Sequence, residues 1–238
     1  MVRLGVAKRR AVGDAVTDLA ALLQRTRAIL FDFDGPICSV FAGQPAPTVA
    51  RELREQLAEW GADVPTHDDP LEVLRSSERF GEKVTRAADD FLTAAETSAV
   101  RSAAPTPGGA ESVRACGATG LRAAIVSNNS AAAVAEYLDI YGLTDVVDAV
   151  VGREYGKPDL MKPHPKPIWE ALKKLHIGPD VALLVGDSTT DVIAARAASV
   201  MCVAYANKPG KAKALGDADA MLDDMTALAQ HLIASGRP

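Results

Sequence analysis

Cysteine is scarce. Cys38, Cys116 and Cys202 are odd in number and far apart, and no Cys-x-x-Cys pair occurs. That excludes a disulfide framework or a cysteine zinc site and points to reduced thiols in a cytoplasmic protein. Long apolar runs are also missing, so no segment approaches membrane-spanning length. Residues 1–13 are basic, but no apolar core follows them, which argues against a secretory signal. Positive charge is not in excess. The formal net charge of −5 supplies no general electrostatic reason to bind nucleic acid or an anionic membrane. There is no internal repeat, and the apolar and charged fractions are those of an ordinary globular protein. At 238 residues the chain suits one domain, or one domain carrying a large insertion.

What is present centres on Ala28-Ile29-Leu30-Phe31-Asp32-Phe33-Asp34-Gly35-Pro36. A short apolar run bounded by a Gly-Pro turn signal reads as a buried strand of an α/β sheet. It ends in two carboxylates, which are costly to bury. Open α/β sheets bind ligands beyond the carboxyl ends of their strands, which is where Asp32 and Asp34 would sit. Two apart on an extended chain, they share a side and repel unless a proton or cation lies between them. Taken alone, the stretch is equally well a strand end with a solvated acidic turn.

Before this strand, Val16, Leu19 and Leu23 recur at helical spacing, with Asp14 available as a cap, which predicts a helix over 14–26. After it, Pro36, Gly43, Pro45 and Pro47 break any period. Three amphipathic helices are then expected without an intervening strand. Thr48 would cap the first, with Val49, Leu53, Leu57 and Trp60 on one face and Gly61 ending it. Asp69-Pro70-Leu71-Glu72 reads as a cap, a first-turn proline and a capping-box glutamate, with the helix stopping near Gly81. Val84, Ala88, Phe91 and Ala95 mark the third. Pro105-Thr106-Pro107-Gly108-Gly109 is a break and a hinge back to the sheet.

Beyond it strands and helices alternate. Strands are expected at 121–126, 146–151, 181–185 and 201–206. Helices are expected around Val134–Tyr141, around Ile168–Leu175, through Ala194–Ala198 and over 224–235. The pattern predicts an α/β protein with a doubly wound, Rossmann-like parallel sheet. Residues 1–37 and 106–238 would form its core domain, and 38–105 a small inserted all-α domain.

Parallel strands place their C-terminal tips along one edge, so groups distant in sequence can meet there. Those tips carry Asp32 and Asp34, Ser127-Asn128, and Asp187 with Asp191. The loop at 157–165 adds Lys157 and Lys162. Several carboxylates in one cleft are unfavourable alone, and a Mg²⁺ ion with oxygen ligands would resolve this. A lysine and a hydroxyl beside them suit a phosphoryl group. The set reads as a metal-assisted phosphoryl-transfer site.

Phe-Asp-Phe-Asp-Gly, Val-Ser-Asn-Asn, Lys-Pro-His-Pro and Gly-Asp-Ser-Thr-Thr-Asp, in that order, resemble the four signatures of the haloacid dehalogenase superfamily. The inserted helices resemble its type 1 cap. The resemblance spans roughly residues 28–206, with the cap matching only in position and helicity. It implies that Asp32 is the nucleophile and Asp34 the general acid/base. Ser127 would hold the phosphoryl group, with Asn128 helping to orient it, and Lys162 would neutralise its charge. Asp187 would bind Mg²⁺ with the Asp32 side chain and the Asp34 carbonyl, supported by Asp191. Lys162 rather than Lys157 is chosen because Lys162-Pro163-His164-Pro165 fits the family loop. Pro36 departs from the family's usual threonine or valine.

Plainer roles stand beside these. Ser127 is also a fitting helix cap, Asp191 an early-helix acid and Lys157 a solvated lysine. A structural role suits His164. Trp60, Phe80 and Trp169 read as packing residues, and His67, Arg75 and Arg79 as solvent-facing charge. The expectation is a Mg²⁺-dependent phosphatase of a small phosphorylated metabolite, monomeric or homodimeric, phosphoglycolate phosphatase-like. A sugar-phosphate mutase of the same fold and a non-catalytic binding module stay open. A dehalogenase is disfavoured by Asp34, and a phosphonate hydrolase would need a cap lysine such as Lys83.

Overall fold

The computed structural model describes residues 19–235, so Asp14, Val16 and the basic segment 1–13 lie outside the described residues. The chain enters through helix α1 (Leu19–Arg25) and strand β1 (Ala28–Phe31). All four residues of β1 are fully buried, because it is a central strand. Ile29 and Phe31 enter one hydrophobic cluster, and Ala28 and Leu30 enter the other, on the opposite face. This is the two-residue alternation of an extended chain with apolar residues on both sides.

A two-residue strand β2 (Cys38–Ser39) follows, then helices α2 (Ala46–Glu59), α3 (Pro70–Ser77) and α4 (Glu82–Ala99). These pack round a cluster of their own, including Val49, Leu53, Leu57, Leu74, Ala88 and Leu92. The chain returns through β3 (Ala104–Pro105), which pairs antiparallel with β2. The outgoing and returning strands therefore form a two-stranded ribbon at the neck of the insertion, which the sequence pattern does not announce.

The remainder alternates: α5 (Gly109–Ala118), β4 (Arg122–Val126), α6 (Ala131–Ile140), β5 (Ala149–Val151), α7 (Lys166–Leu175), β6 (Ala182–Gly186), α8 (Thr189–Ala197), β7 (Met201–Tyr205), α9 (Lys211–Ala214), β8 (Ala220–Leu222) and α10 (Met225–Ala234). The main sheet has six strands in the order β5-β4-β1-β6-β7-β8, every pair parallel. The strand order reverses beside β1, the place where such sheets bind ligands. Helices cover both faces, as expected of the doubly wound fold.

Several expectations need correction. Helix α2 begins after Pro45 with a proline in its first turn, so Thr48 lies within that turn and is not the cap. Asp69 does cap α3 by accepting from the Leu71 N–H, but Glu72 turns to Arg75 at 3.3 Å and closes no capping box. The strand expected over 146–151 starts at Ala149, after a 3₁₀ turn at Thr144–Val146. Trp60 and Trp169 are about half exposed, at 45% and 50%, and are not core residues. β8, α9 and α5 carry too little periodicity to be read from the chain.

Candidate active site

Asp32 follows directly on β1 and its N–H still donates to the Val185 carbonyl of β6, at 2.8 Å. The sheet therefore holds its backbone. Beyond it Gly35 takes a left-handed φ of +111°, and a Cβ there would fall 2.4 Å from Asp187 Cγ. Gly186 makes the same kind of room, since its Cβ would fall 2.4 Å from Asp191 Cγ. Two glycines let two carboxylates approach the backbone of the tips. Asp32, Asp187 and Asp191 each offer an oxygen within 4.8 Å of one another.

Lys162 is the cation of this group and is almost wholly buried. Its Nζ lies 2.7 Å from Asp32 Oδ1 and 2.6 Å from Asp191 Oδ1 and donates to the Val126 carbonyl at 2.9 Å. One ammonium cannot neutralise both carboxylates. Burial alone would raise Asp191, but Lys162 and the Ser188 donors outweigh it and hold it below the usual carboxylate range. Burial, then the Asp191 charge, push Asp32 well above that range, with Lys162 offsetting only part. Burial alone would lower Lys162, but the two aspartates keep it charged.

Asp187 is also raised, first by burial, against the ammonium of Lys211, with which it forms an ion pair. Asp34 faces water in the cleft. Crowding by protein atoms raises it first, the Asp187 and Asp69 charges add to this, and the Val40 N–H donated to its Oδ1 at 3.0 Å opposes it. Its carboxylate stands outside the cluster of three. The acidic groups thus exceed their cations, so the oxygen set and its surplus negative charge fit a hard divalent cation.

Asp191 is fully buried, and both its oxygens are engaged. Oδ1 takes Lys162, and Oδ2 accepts from the Ser188 N–H and hydroxyl. Ser188 in turn caps α8 through the Asp191 N–H, a complete capping box. The early-helix position of Asp191 and its contact with Lys162 therefore belong to one side chain.

Ser127 lies at the tip of β4, and its N–H donates to the Val151 carbonyl. It is not the cap of α6; Ser130 is, accepting from the Ala133 N–H. The Ser127 hydroxyl donates to Asn129 Oδ1 and accepts from the Asn129 N–H. Asn128 clamps the neighbouring loop from both ends: its Oδ1 accepts from the Lys162 N–H at 2.8 Å, and its Nδ2 donates to the Lys162 carbonyl at 3.0 Å. Its amide thus positions Lys162. Lys157 is exposed, as expected of a solvated lysine. His164 accepts from the Lys166 N–H within its own loop, in keeping with a structural role.

Asp32, Asp34, Ser127, Asn128, Lys162 and Asp187 line one cleft of about 550 Å³ between the strand tips and the loop before α3, with Asp68, Asp69, Glu72 and Arg75 on the far wall. A larger hollow of about 710 Å³ lies at the opposite, N-terminal end of the strands. Among the described residues its lining, which includes Arg25, Arg27 and Thr119, carries no carboxylate, whereas the smaller cleft gathers Asp32, Asp34 and Asp187 with Lys162. Arg75 corrects an expectation: it is not a solvated charge but donates to the carbonyls of Pro158 and Lys162 at 3.1 and 2.7 Å. His67 touches Ser76. Arg79 and Lys83 are exposed, so no cap lysine reaches the cleft among the described residues.

Sequence reading missed a buried network beneath this loop. Arg153 donates to Asp89 Oδ1 at 2.6 Å and to both oxygens of Glu96 at 2.7 and 2.6 Å. Glu96 accepts in turn from the Asn129 side-chain amide and the Ser130 N–H. Helix α4 thereby grips the loop carrying Ser127. Asp89 and Glu96 are seven apart on α4, on a face separate from that of Val84 and Ala88. That acidic stripe was the available signal, and it looks like solvated charge until a partner element is placed on it.

A six-stranded parallel α/β sheet with inserted helices thus brings carboxylates and a lysine together at its strand tips. Residues 29–205 match the haloacid dehalogenase-like hydrolase family. The chain belongs to this family and is an enzyme with the phosphatase pattern of two aspartates in its first signature. It is 30% identical to the phosphoglycolate phosphatase of Nitrosospira multiformis over 220 residues, 84% of this chain and 92% of that one. Identity to the phosphoglycolate phosphatase of Rhodospirillum rubrum is also 30%, over 87% of this chain and 90% of the relative. Among solved structures, a β-phosphoglucomutase from Clostridium difficile superposes with a TM-score of 0.65 at 19% identity, covering 88% of this chain and 97% of the other. That likeness shows the fold. No described helix is long and apolar enough to cross a membrane.

Proposed function

We propose that the chain hydrolyses a small phosphomonoester, with Mg²⁺, through a phosphorylated Asp32. The observation that carries the reading is the Asp32–Lys162–Asp191 triad beside Asp187, a site whose carboxylates outnumber its cations. The Asp32 and Asp187 carboxylates and the Asp34 carbonyl would hold the cation. When bound it supplies positive charge to the non-bridging phosphoryl oxygens.

Both bonds to the Asp32 carboxylate fall on Oδ1, from Lys162 and from the Phe33 N–H. Oδ2 is thus the oxygen positioned to attack phosphorus. As the Oδ2–P bond forms, the ester P–O bond breaks and its electron pair stays with the leaving oxygen. That oxygen takes a proton from Asp34, whose pKa is raised first by burial toward the range a general acid needs. Asp34 then accepts a proton from water as the water oxygen bonds to phosphorus. The Asp32–phosphate bond breaks, releasing inorganic phosphate and restoring the carboxylate. Ser127 would turn its hydroxyl from Asn129 to a phosphoryl oxygen, and the charge of Lys162, held beside Asp32, would stabilise the phosphoryl group. Asn128 fixes the Lys162 backbone and lines the cleft where it would help orient the phosphoryl group. Residues 38–105 form a cap whose closure over the cleft excludes water, supported by their separate hydrophobic cluster and the ribbon at their neck.

The test is phosphate release from a panel of small phosphomonoesters with Mg²⁺ and with EDTA, beside Asp32→Asn. Metal-dependent release that Asp32→Asn abolishes is expected. Release that survives Asp32→Asn unchanged would remove Asp32 from the reaction.

A further inference from the structure

The cap wall of the cleft is acidic, and its cation among the described residues is paired with one of its own carboxylates. Asp68, Asp69 and Glu72 line it and are exposed to the space where a leaving group must lie, opposite Asp32, Asp34 and Ser127. Among the described residues, Arg75 is the only cation on that wall. All three of its guanidinium nitrogens are engaged: Nε with Glu72 at 3.3 Å, Nη1 with the Pro158 carbonyl and Nη2 with the Lys162 carbonyl. The other lining cation, Lys162, is buried between Asp32 and Asp191. Lys211 pairs with Asp187 on the sheet side.

An anionic leaving group would therefore meet three cap carboxylates against the single guanidinium of Arg75, itself paired with Glu72, and like-charge juxtaposition in a recognition site is strongly disfavoured. An ammonium would meet two carboxylates, and hydroxyls would meet their acceptor oxygens. Resting on the phosphatase reading above, we infer that the substrate is the phosphomonoester of an alcohol carrying no negative charge, an amino alcohol best and a neutral polyol next. Esters bearing a carboxylate, such as the phosphoglycolate named for two relatives, are selected against. Asp68 and Asp69 are the specificity-determining residues.

The experiment compares kcat/KM for phosphoethanolamine, glycerol 3-phosphate and phosphoglycolate in the intact chain with Mg²⁺, in wild type, Asp68→Asn and Asp68→Asn/Asp69→Asn. Asparagine keeps the capping oxygen at position 69. Wild type is expected to favour phosphoethanolamine over phosphoglycolate by at least about tenfold, and the ratio to narrow in both variants. In wild type alone, the ratio should also shrink as salt rises, because screening weakens charges that still touch water. Phosphoglycolate turned over as well as phosphoethanolamine, or a preference that neither the variants nor salt alters, overturns the inference while the phosphatase reading stands. Wild type that also fails to turn over p-nitrophenyl phosphate overturns the phosphatase reading itself, and this inference with it.

Discussion

Replacing Arg153 by methionine removes the guanidinium from a site where its side chain is 1% exposed and its partners Asp89 and Glu96 are 2% and 0% exposed. Methionine fills much of the same space, so the loss is chiefly electrostatic. Two carboxylates remain in the interior without their cation, together with a Thr93 hydroxyl that accepted from Nη2 at 2.8 Å. Removing one side of a buried ion pair costs about 3–5 kcal/mol, most of it the stranded charge. In a chain of this length each kcal/mol shifts the melting temperature by about 2–4 °C, so Arg153→Met should melt about 6–20 °C lower. Thermal denaturation followed by circular dichroism measures this directly. The triple variant Arg153→Met/Asp89→Asn/Glu96→Gln removes the stranded charges as well and should recover much of the loss, since neutral replacement of a whole buried pair is often tolerated. A shift under about 2 °C for Arg153→Met, or a triple variant no better than the single one, would refute the reasoning. The first would mean that the network relaxes to water, and the second that shape rather than charge holds α4 to the Ser127 loop.

Three further outcomes are expected. Asp34→Asn leaves the carboxylate geometry nearly intact but cannot exchange a proton, so kcat should fall by about 10²–10⁴-fold in steady-state phosphate release. Lys211→Met frees Asp187 from a partly exposed ion pair worth up to about 1 kcal/mol. The Mg²⁺ concentration giving half-maximal activity should drop by up to about fivefold in a metal titration, and a rise would mean that Lys211 assists the cation. The third concerns pH. Asp32, Asp34 and Asp187 are raised above their unfolded values, so the folded, metal-free chain binds more protons than the unfolded one. Their favourable contribution is complete at low pH and is lost as pH climbs from about 4 through the raised values. Asp191 has the opposite sign, its contribution being lost only on acidification below about pH 4. Because the cation binds ionised carboxylates, the rise in melting temperature produced by Mg²⁺ should grow from pH 5 to 7.5. A rise that is larger at pH 5 would contradict these shifts.

The strand tips were legible because their logic is local and then topological. An apolar run that ends in Asp32 or Asp187 declares a strand, and parallel pairing forces such ends to one edge whatever lies between them. The local rules that held were those with a stereochemical cause, such as Gly61 and Gly81 at positive φ ending their segments and Asp69 capping α3. Where two local signals competed, the sequence misled. Thr48 is a good cap, but Pro45 and Pro47 allow α2 to start one turn earlier. Val146 extends an apolar run, but the sheet pairs β5 with β4 only from Ala149.

What the linear chain could not specify is which charged face meets which. Asp89, Glu96 and Arg153 look like solvated residues one at a time, and burial becomes affordable only when α4, the Ser127 loop and the Arg153 segment converge. Arg75 likewise reads as surface charge until α3 lies over the Lys162 loop and gives it two carbonyls. The chemistry of the site therefore follows from residue type at strand ends, where the backbone fixes direction. Its support comes from contacts between elements far apart in sequence, and the cost of burying charge makes those contacts depend on the completed fold.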